Sequence, residues 1–476
     1  MSLSVVCCVC FGETTNLTSC NHSVCLSCFE IIKKKQNTCP MCRQELSIKF
    51  ILSKLNVHEF IKTWCQLADF FNKEIGSLPE DLFDGLENLK LINFQYNQIV
   101  SVPEKLLNGL INLNNVVFDH NQIVSVPENL FVGLVKLQFI YFEHNKIVTL
   151  PEKLFNNLDH LEFIRFSHNQ IVSLPENLFV GLVKLDIDFS HNLIVSLNEN
   201  LFVGLKNLKC INFSHNQIVS LPEKLFNGLD NLNSIDFSDN LFISLPENLL
   251  VGLDKLEMIY FSNNNISLLP ENFFKGLVNL KTIDFTANLF VSLPEKLFNG
   301  LDKLEMIYFS HNQIESLPEN LFVGLIKLKK IRFAYNQIVS LYDNSDVNSD
   351  DNSDEDGQSS SKKIKIYKDN KFSNLFFGLV NLERIDFFHN QIVSLPENLF
   401  SGLGKLEFID FSHNQIESLP ENLFAGLTKL KSIYFAHNQN LEVSEELLDN
   451  INKLFKCQIT YTEHHFTCRI TNSESE

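Results

Sequence analysis

The chain has 476 residues, 45% hydrophobic and 20% charged, a composition that suits a folded protein with ample material for a core and excludes a disordered one. A formal charge of −18 argues against nucleic acid as a main partner, because Lys and Arg supply affinity for phosphate, and it disfavours an acidic partner surface equally. No apolar stretch is long enough to span a bilayer, and the opening MSLSVVCCVC lacks the basic start and apolar run of a signal peptide, so no membrane role and a cytoplasmic address, with the nucleus also open, are expected.

The first element is a cysteine cluster. Eight of the 12 Cys fall in the first 42 residues, with the spacing Cys7-x2-Cys10-x9-Cys20-x1-His22-x2-Cys25-x2-Cys28-x10-Cys39-x2-Cys42. Thiolates and an imidazole are donors that zinc prefers, and eight of them suit two tetrahedral ions; four protein ligands per ion make each site structural, with no water left to activate. A segment of about 45 residues is too small to fold on its core alone, so metal substitutes for core. The pattern resembles the RING-type zinc finger, which assigns residues 1–46 to a small two-zinc domain. The resemblance implies an interleaved arrangement, with Cys7, Cys10, Cys25 and Cys28 on one ion and Cys20, His22, Cys39 and Cys42 on the other; Cys8 is an extra thiol.

RING fingers that act as ubiquitin ligases hold a ubiquitin-conjugating enzyme on a shallow apolar patch. That resemblance places Val9, Ile32 and Pro40 in the patch and gives Arg43 the catalytic role, hydrogen-bonding both the conjugating enzyme and its thioester-linked ubiquitin. Such catalysis is positioning, with no covalent intermediate on this chain. Many active members carry Trp where this chain has Ile32, a departure that leans toward a noncatalytic scaffold.

Residues 47–64 follow, with apolar positions at Ile48, Ile51, Leu52, Leu55, Phe60 and Ile61 in a helix-compatible spacing that predicts a linker and cap. Residues 65–88 read as a degenerate leading repeat, with Phe70 standing where Phe94 stands one period later.

From Leu89 the pattern L-x-x-I-x-F-x-x-N-x-I-x-x-L-P-E-x-L-F-x-G-L recurs with a 24-residue period, and Asn97 through Asn438 mark fourteen copies in 89–441. Two steps differ: Asn169 to Asn192 is 23 residues, and Asn336 to Asn390 is 54, a period plus a 30-residue insertion. Phe occupies the last core position of the strand in every copy, which accounts for 43 Phe against 9 Tyr and 1 Trp as packing. The pattern resembles the leucine-rich repeat family. That resemblance implies an α/β solenoid, a horseshoe with parallel strands on its concave face, each strand returning through a helical or irregular segment opened by Pro-Glu. It further implies that the recurring Asn bonds backbone groups of neighbouring turns inside the solenoid.

Fourteen strands would give a strip of roughly 60 Å, the scale of a protein partner. In the outward strand column, Tyr141, Arg165, Tyr260, Tyr308 and Arg332 are the residue types that anchor interfaces and are the candidate substrate-binding residues. His precedes the Asn in nine copies, from His120 to His437; duplication of a His-bearing repeat accounts for this better than a metal ladder or a Ser-His pair. The insertion, 342–371, is an acidic polar block followed by a basic one and reads as a solvated surface loop. Residues 442–476 form a C-terminal cap and tail, helical over Glu442 to Phe455. The sequence therefore predicts a RING-type ubiquitin-protein ligase whose repeats hold the protein to be modified, with a noncatalytic zinc-binding scaffold as the alternative.

Overall fold

The computed structural model describes residues 66–183, 185–341 and 375–455, with further strand segments at 5–6, 13–14, 458–462 and 465–469. The eight expected zinc ligands, Val9, Ile32, Pro40 and Arg43, the 47–64 linker and the 342–371 insertion lie outside the described residues. The chain divides into two compact units, Met1–Gln217 and Ile218–Glu476.

In the first unit, β1 (Val5–Val6) and β2 (Glu13–Thr14) pair antiparallel. Seven three-residue strands follow: β3 (Leu67–Asp69), β4 (Leu91–Asn93), β5 (Asn115–Val117), β6 (Phe139–Tyr141), β7 (Phe163–Arg165), β8 (Asp186–Asp188) and β9 (Cys210–Asn212). They pair parallel and in register, from Leu67 opposite Leu91 to Ile187 opposite Ile211.

The second unit stacks β10 (Ser234–Asp236), β11 (Met258–Tyr260), β12 (Thr282–Asp284), β13 (Met306–Tyr308), β14 (Lys330–Arg332), β15 (Arg384–Asp386), β16 (Phe408–Asp410) and β17 (Ser432–Tyr434) in the same way. It ends with α1 (Glu445–Phe455), β18 (Gln458–Thr462) and β19 (His465–Arg469), and β19 pairs antiparallel with both β17 and β18.

The repeat explains this architecture residue by residue. A strand of three puts its middle residue on the core side, so Ile140, Ile164 and Ile187 are buried, and the Phe that follows is buried with them. In the first unit the phenylalanines stack from Phe70 to Phe213 with ring centroids 4.9–5.7 Å apart. An equivalent column runs from Phe237 to Phe435 in the second unit, at 5.4–5.7 Å.

Three residues beyond each Phe, the buried Asn closes the turn. Asn121 accepts a hydrogen bond from Ile99 N (3.0 Å) on the preceding turn and donates to the carbonyls of Phe94 (2.9 Å), Phe118 (2.9 Å) and Asp119 (3.2 Å). Without it Ile99 N would lack a partner, while each carbonyl would keep one donor, Asn97 for Phe94, Asn145 for Phe118 and Tyr96 N for Asp119.

The return segments are turns, not helices. Leu106 N donates to Pro103 O (3.2 Å) and Leu110 N to Leu107 O (3.3 Å), three-residue steps of which the second spans Gly109, whose φ of +78° a side chain rarely adopts. The α part of the expected α/β solenoid is confined, among the described residues, to α1. Its first turn is capped by Ser444, whose Oγ accepts from Leu447 N (3.1 Å), and Leu447 and Ile451 are buried.

The insertion does not interrupt the stack. Lys330 lies in register with Arg384, and Ile338 N donates to Asn390 Oδ1 at 3.0 Å, as it would to the next turn of an unbroken array.

Candidate partner-binding face

Because the middle residue of each strand points inward, the first and third leave the sheet on the other side together. In each unit the outward face therefore has two columns, where the sequence pointed only to the third-position one. The first-position column carries Phe139 and Phe163, stacked at 5.4 Å, and Met258, Met306, Lys330, Arg384 and Phe408. The alternation of a three-residue strand is the signal that identifies it.

The third-position column separates into two chemical classes. Where it holds Asp or Asn, the side-chain Oδ1 accepts the backbone N–H two residues on: Asp188 from Ser190 (3.0 Å), Asn212 from Ser214 (3.0 Å), Asp236 from Ser238 (2.9 Å), Asp284 from Thr286 (2.9 Å) and Asp410 from Ser412 (2.9 Å). These residues shape the turn that follows the strand. Tyr141, Arg165, Tyr260, Tyr308 and Arg332 have no such backbone role, so the five anchors picked from sequence all fall in the second class.

Four of the five are paired with one another. The Arg165 guanidinium carbon lies 5.7 Å from the Tyr141 ring centroid, and that of Arg332 lies 5.3 Å from Tyr308. In the first-position column Arg384 sits 3.6 Å over Phe408 and 3.8 Å from Asp386. Among the described residues, only Arg332 Nε and Arg384 Nε are buried side-chain polar atoms without a hydrogen-bond partner. Beside this face, lysine and glutamate of adjacent turns form ion pairs, Glu257 with Lys281 (2.7 Å) and Glu305 with Lys329 (2.7 Å). Exposed pairs of this kind contribute about 1 kcal/mol or less each.

In the first unit the face continues into a buried charged group. Asp119 is 6% exposed, and its Oδ1 accepts from Glu143 N at 2.8 Å. Burial pushes its carboxyl up to about 7; the hydrogen bond opposes this, the Glu143 charge adds to it and Arg165 pulls it down. Glu143 Oε1 in turn accepts from Ser167 Oγ at 3.0 Å, which engages the hydroxyl a Ser167-His168 pair would need.

The histidines of this unit form a stack. Rings of Tyr96, His120, His144, His168, His191 and His215 follow one another at centroid distances of 4.2, 4.2, 4.1, 4.0 and 3.9 Å, nearly parallel. Each sits at a left-handed backbone position, φ 52–58°, and the identical turn repeated at strand spacing sets ring over ring. An ion midway between two such rings would lie about 2 Å out of each ring plane, whereas imidazole lone pairs lie in the plane, so the stack does not ligate metal between its rings. Among the described residues no group of three or more His, Cys, Asp or Glu has metal-binding geometry. Burial, then the neighbouring His144 imidazole, holds His120 and His168 below the ordinary imidazole range.

A family profile described as leucine-rich repeat matches residues 95–147, 142–187, 167–218, 186–242, 211–266, 259–314, 278–338 and 372–416, overlapping segments that span more than half of the chain. Among solved structures, a chain of the Toll–Spatzle complex of Drosophila is similar at 24% identity and a TM-score of 0.66, over 78% of this chain and 47% of that one. This chain thus spans about half the length of that relative. A leucine-rich repeat protein of Leptospira interrogans is similar at 19% identity and a TM-score of 0.56, over 85% and 97% of the two chains. The APL1 leucine-rich repeat domain is similar at 19% and 0.58, over 78% and 85%. At these identities the likeness is one of fold. No curated protein matches the chain.

Proposed function

Because the chain belongs to the leucine-rich repeat family, we propose that its repeats hold a protein substrate for a RING-type ubiquitin ligase formed by its own N-terminal 46 residues. The observation that carries this reading is the eight-donor spacing from Cys7 to Cys42 in a chain whose remaining length is a repeat array. Seven thiolates and one imidazole are the chemistry of closed, structural zinc sites, and two ions would hold the finger's fold. Its own residues would then do the work: Val9, Ile32 and Pro40 seat the conjugating enzyme, and Arg43 restrains the thioester-linked ubiquitin while a substrate lysine attacks it. The strand face supports the substrate-reading half, with Tyr141, Arg165, Tyr260, Tyr308 and Arg332 free of backbone duties and of the types that anchor interfaces.

A noncatalytic protein-interaction scaffold is the second reading, favoured by Ile32 where many active RING fingers carry Trp. An in vitro ubiquitin-chain assay with a panel of conjugating enzymes separates the two. Chains are expected from the wild type with at least one enzyme, and Val9→Ala and Arg43→Ala should each reduce them about tenfold or more, an effect on the order of 1.4 kcal/mol. Zinc-loaded, folded protein that makes no chains with any enzyme would leave the scaffold reading in place.

A further inference from the structure

The strand face stacks an arginine on a tyrosine twice, and both times in the same way. Tyr141 lies in register with Arg165 of the next turn, and Tyr308 with Arg332 of the next turn. Each guanidinium covers the ring of the preceding tyrosine. Tyr260 occupies the same strand position, and its own strand, Met258-Ile259-Tyr260, recurs two turns later as Met306-Ile307-Tyr308. Yet the turn after Tyr260 presents Asp284 where the other two present arginine.

Asp236 stands in register on the opposite side of Tyr260. At the spacing of parallel strands the two carboxylates are about 10 Å apart with the ring between them. Tyr260 is partly exposed, and its hydroxyl donates to Met258 Sδ at 3.5 Å. Among the described residues no cation lies over its ring. Asp284 engages Oδ1 with Thr286 N and leaves Oδ2 without a hydrogen bond among the described residues. Burial raises the Tyr260 phenol above its ordinary range, and the charges of Asp236 and Asp284 raise it further, so both carboxylates are felt at the ring.

We propose that Tyr260, flanked by Asp236 and Asp284, receives an arginine side chain of a protein partner, completing across the interface the pair that Arg165 and Arg332 complete within the chain. The proposal rests on the reading of the strand face as the partner-binding surface, and names what one part of that face recognises. A guanidinium stacks its plane on the ring and offers a fork of donors to a carboxylate, which an ammonium cannot do in the same geometry. The chain's charge of −18 favours approach of a basic segment.

The test is a random-peptide display selection on the full-length protein, followed by titration of a fluorescently labelled selected peptide. Recovered peptides should be enriched in arginine, and exchanging that arginine for alanine should weaken binding about tenfold, the scale of one desolvated cation–π contact with a carboxylate partner. Asp284→Arg should weaken it at least as much, because the new side chain can cover Tyr260 as Arg332 covers Tyr308. Asp284→Asn keeps the acceptor for Thr286 N and removes the charge; it should also weaken binding, which guards the test against a misfolded variant. Peptides that lack arginine but lose binding on Arg165→Ala would overturn this site and leave the partner-reading face standing. Binding indifferent to both Asp284 variants overturns the site as well, and a selection that returns nothing overturns both. Ligase assays that fail while arginine peptides still depend on Asp284 would overturn the ligase reading alone.

Discussion

Replacing Asn145 with alanine should lower the unfolding free energy by about 2–3 kcal/mol, since the buried Ile123 N–H loses its partner while three carbonyls each lose one of two donors. Asn145 accepts from Ile123 N (3.0 Å) and donates to the carbonyls of Phe118 (3.0 Å), Phe142 (3.2 Å) and Glu143 (3.2 Å). Alanine serves none of them, and the surrounding core, with Phe142 and Ile147 fully buried, admits no water to replace it without repacking. In a stack where each turn is held mainly by its neighbours, the loss propagates to adjacent turns. The comparison is Asn129→Ala, which removes an exposed bond to Glu104 Oε1 (2.7 Å) and should change stability by about 0.5 kcal/mol or less. Urea unfolding followed by circular dichroism reads both, and equal midpoints for the two variants would mean that the buried asparagines do not hold the turns.

Asp119→Asn should change stability in a pH-dependent way. Folding buries this carboxyl and raises its pKa from 3.8 to about 7, so the folded state binds the proton more tightly than the unfolded state. The stability this contributes is complete below the unfolded value, and is lost as pH rises through 7. The loss is on the order of 4 kcal/mol between pH 4 and pH 8. Asparagine keeps an Oδ1 acceptor for Glu143 N and never ionises. The variant should therefore gain on the wild type as pH rises, by several kcal/mol at pH 8.5 relative to pH 4.5. His120 and His168 act in the opposite sense: held below their ordinary range by burial first, they favour folding when neutral, and that contribution falls as pH drops below about 6.5. The wild-type profile sums both, and the variant-minus-wild-type difference isolates Asp119. A difference that stays flat with pH would show that Asp119 is ionised in the folded protein near neutrality at no cost.

Much of the fold is legible in single residues of the repeat. Ile, Phe and Asn recur at fixed offsets because each fills one buried place in a turn; strand alternation put Ile164 and Phe166 in the core and the leucine-rich repeat resemblance put Asn169 in the turn, where they are found. The 54-residue step from Asn336 to Asn390 was legible as a local insertion, and the register of Lys330 with Arg384 agrees.

The outward face was read less completely, for physical reasons. A column of Asp and Asn looks like variable surface until the bonds to Ser190, Ser238 and Thr286 show that half of it shapes turns. The first-position residues, Arg384 and Phe408 among them, were passed over although alternation places them on the same side as Arg332 and Tyr434. The histidine stack depends on a left-handed backbone at one residue per turn, and nothing in the spacing of His120, His144 and His168 reveals that conformation. Of the helical or irregular return that was expected, the irregular form is found, because i to i+3 bonds and a residue at positive φ, glycine in most turns and Asn157 in one, close the turn before a helix can extend.

The ligase reading depends on an N-terminal finger built around metal, and the most direct test of that finger is the zinc content of the purified full-length chain after dialysis against metal-free buffer. The donor set from Cys7 to Cys42 predicts two zinc ions per chain, falling to about one when Cys39 and Cys42 are both replaced by serine, since the RING resemblance would give the two ions separate ligands. A chain that retains no zinc while its repeats remain folded would contradict the account.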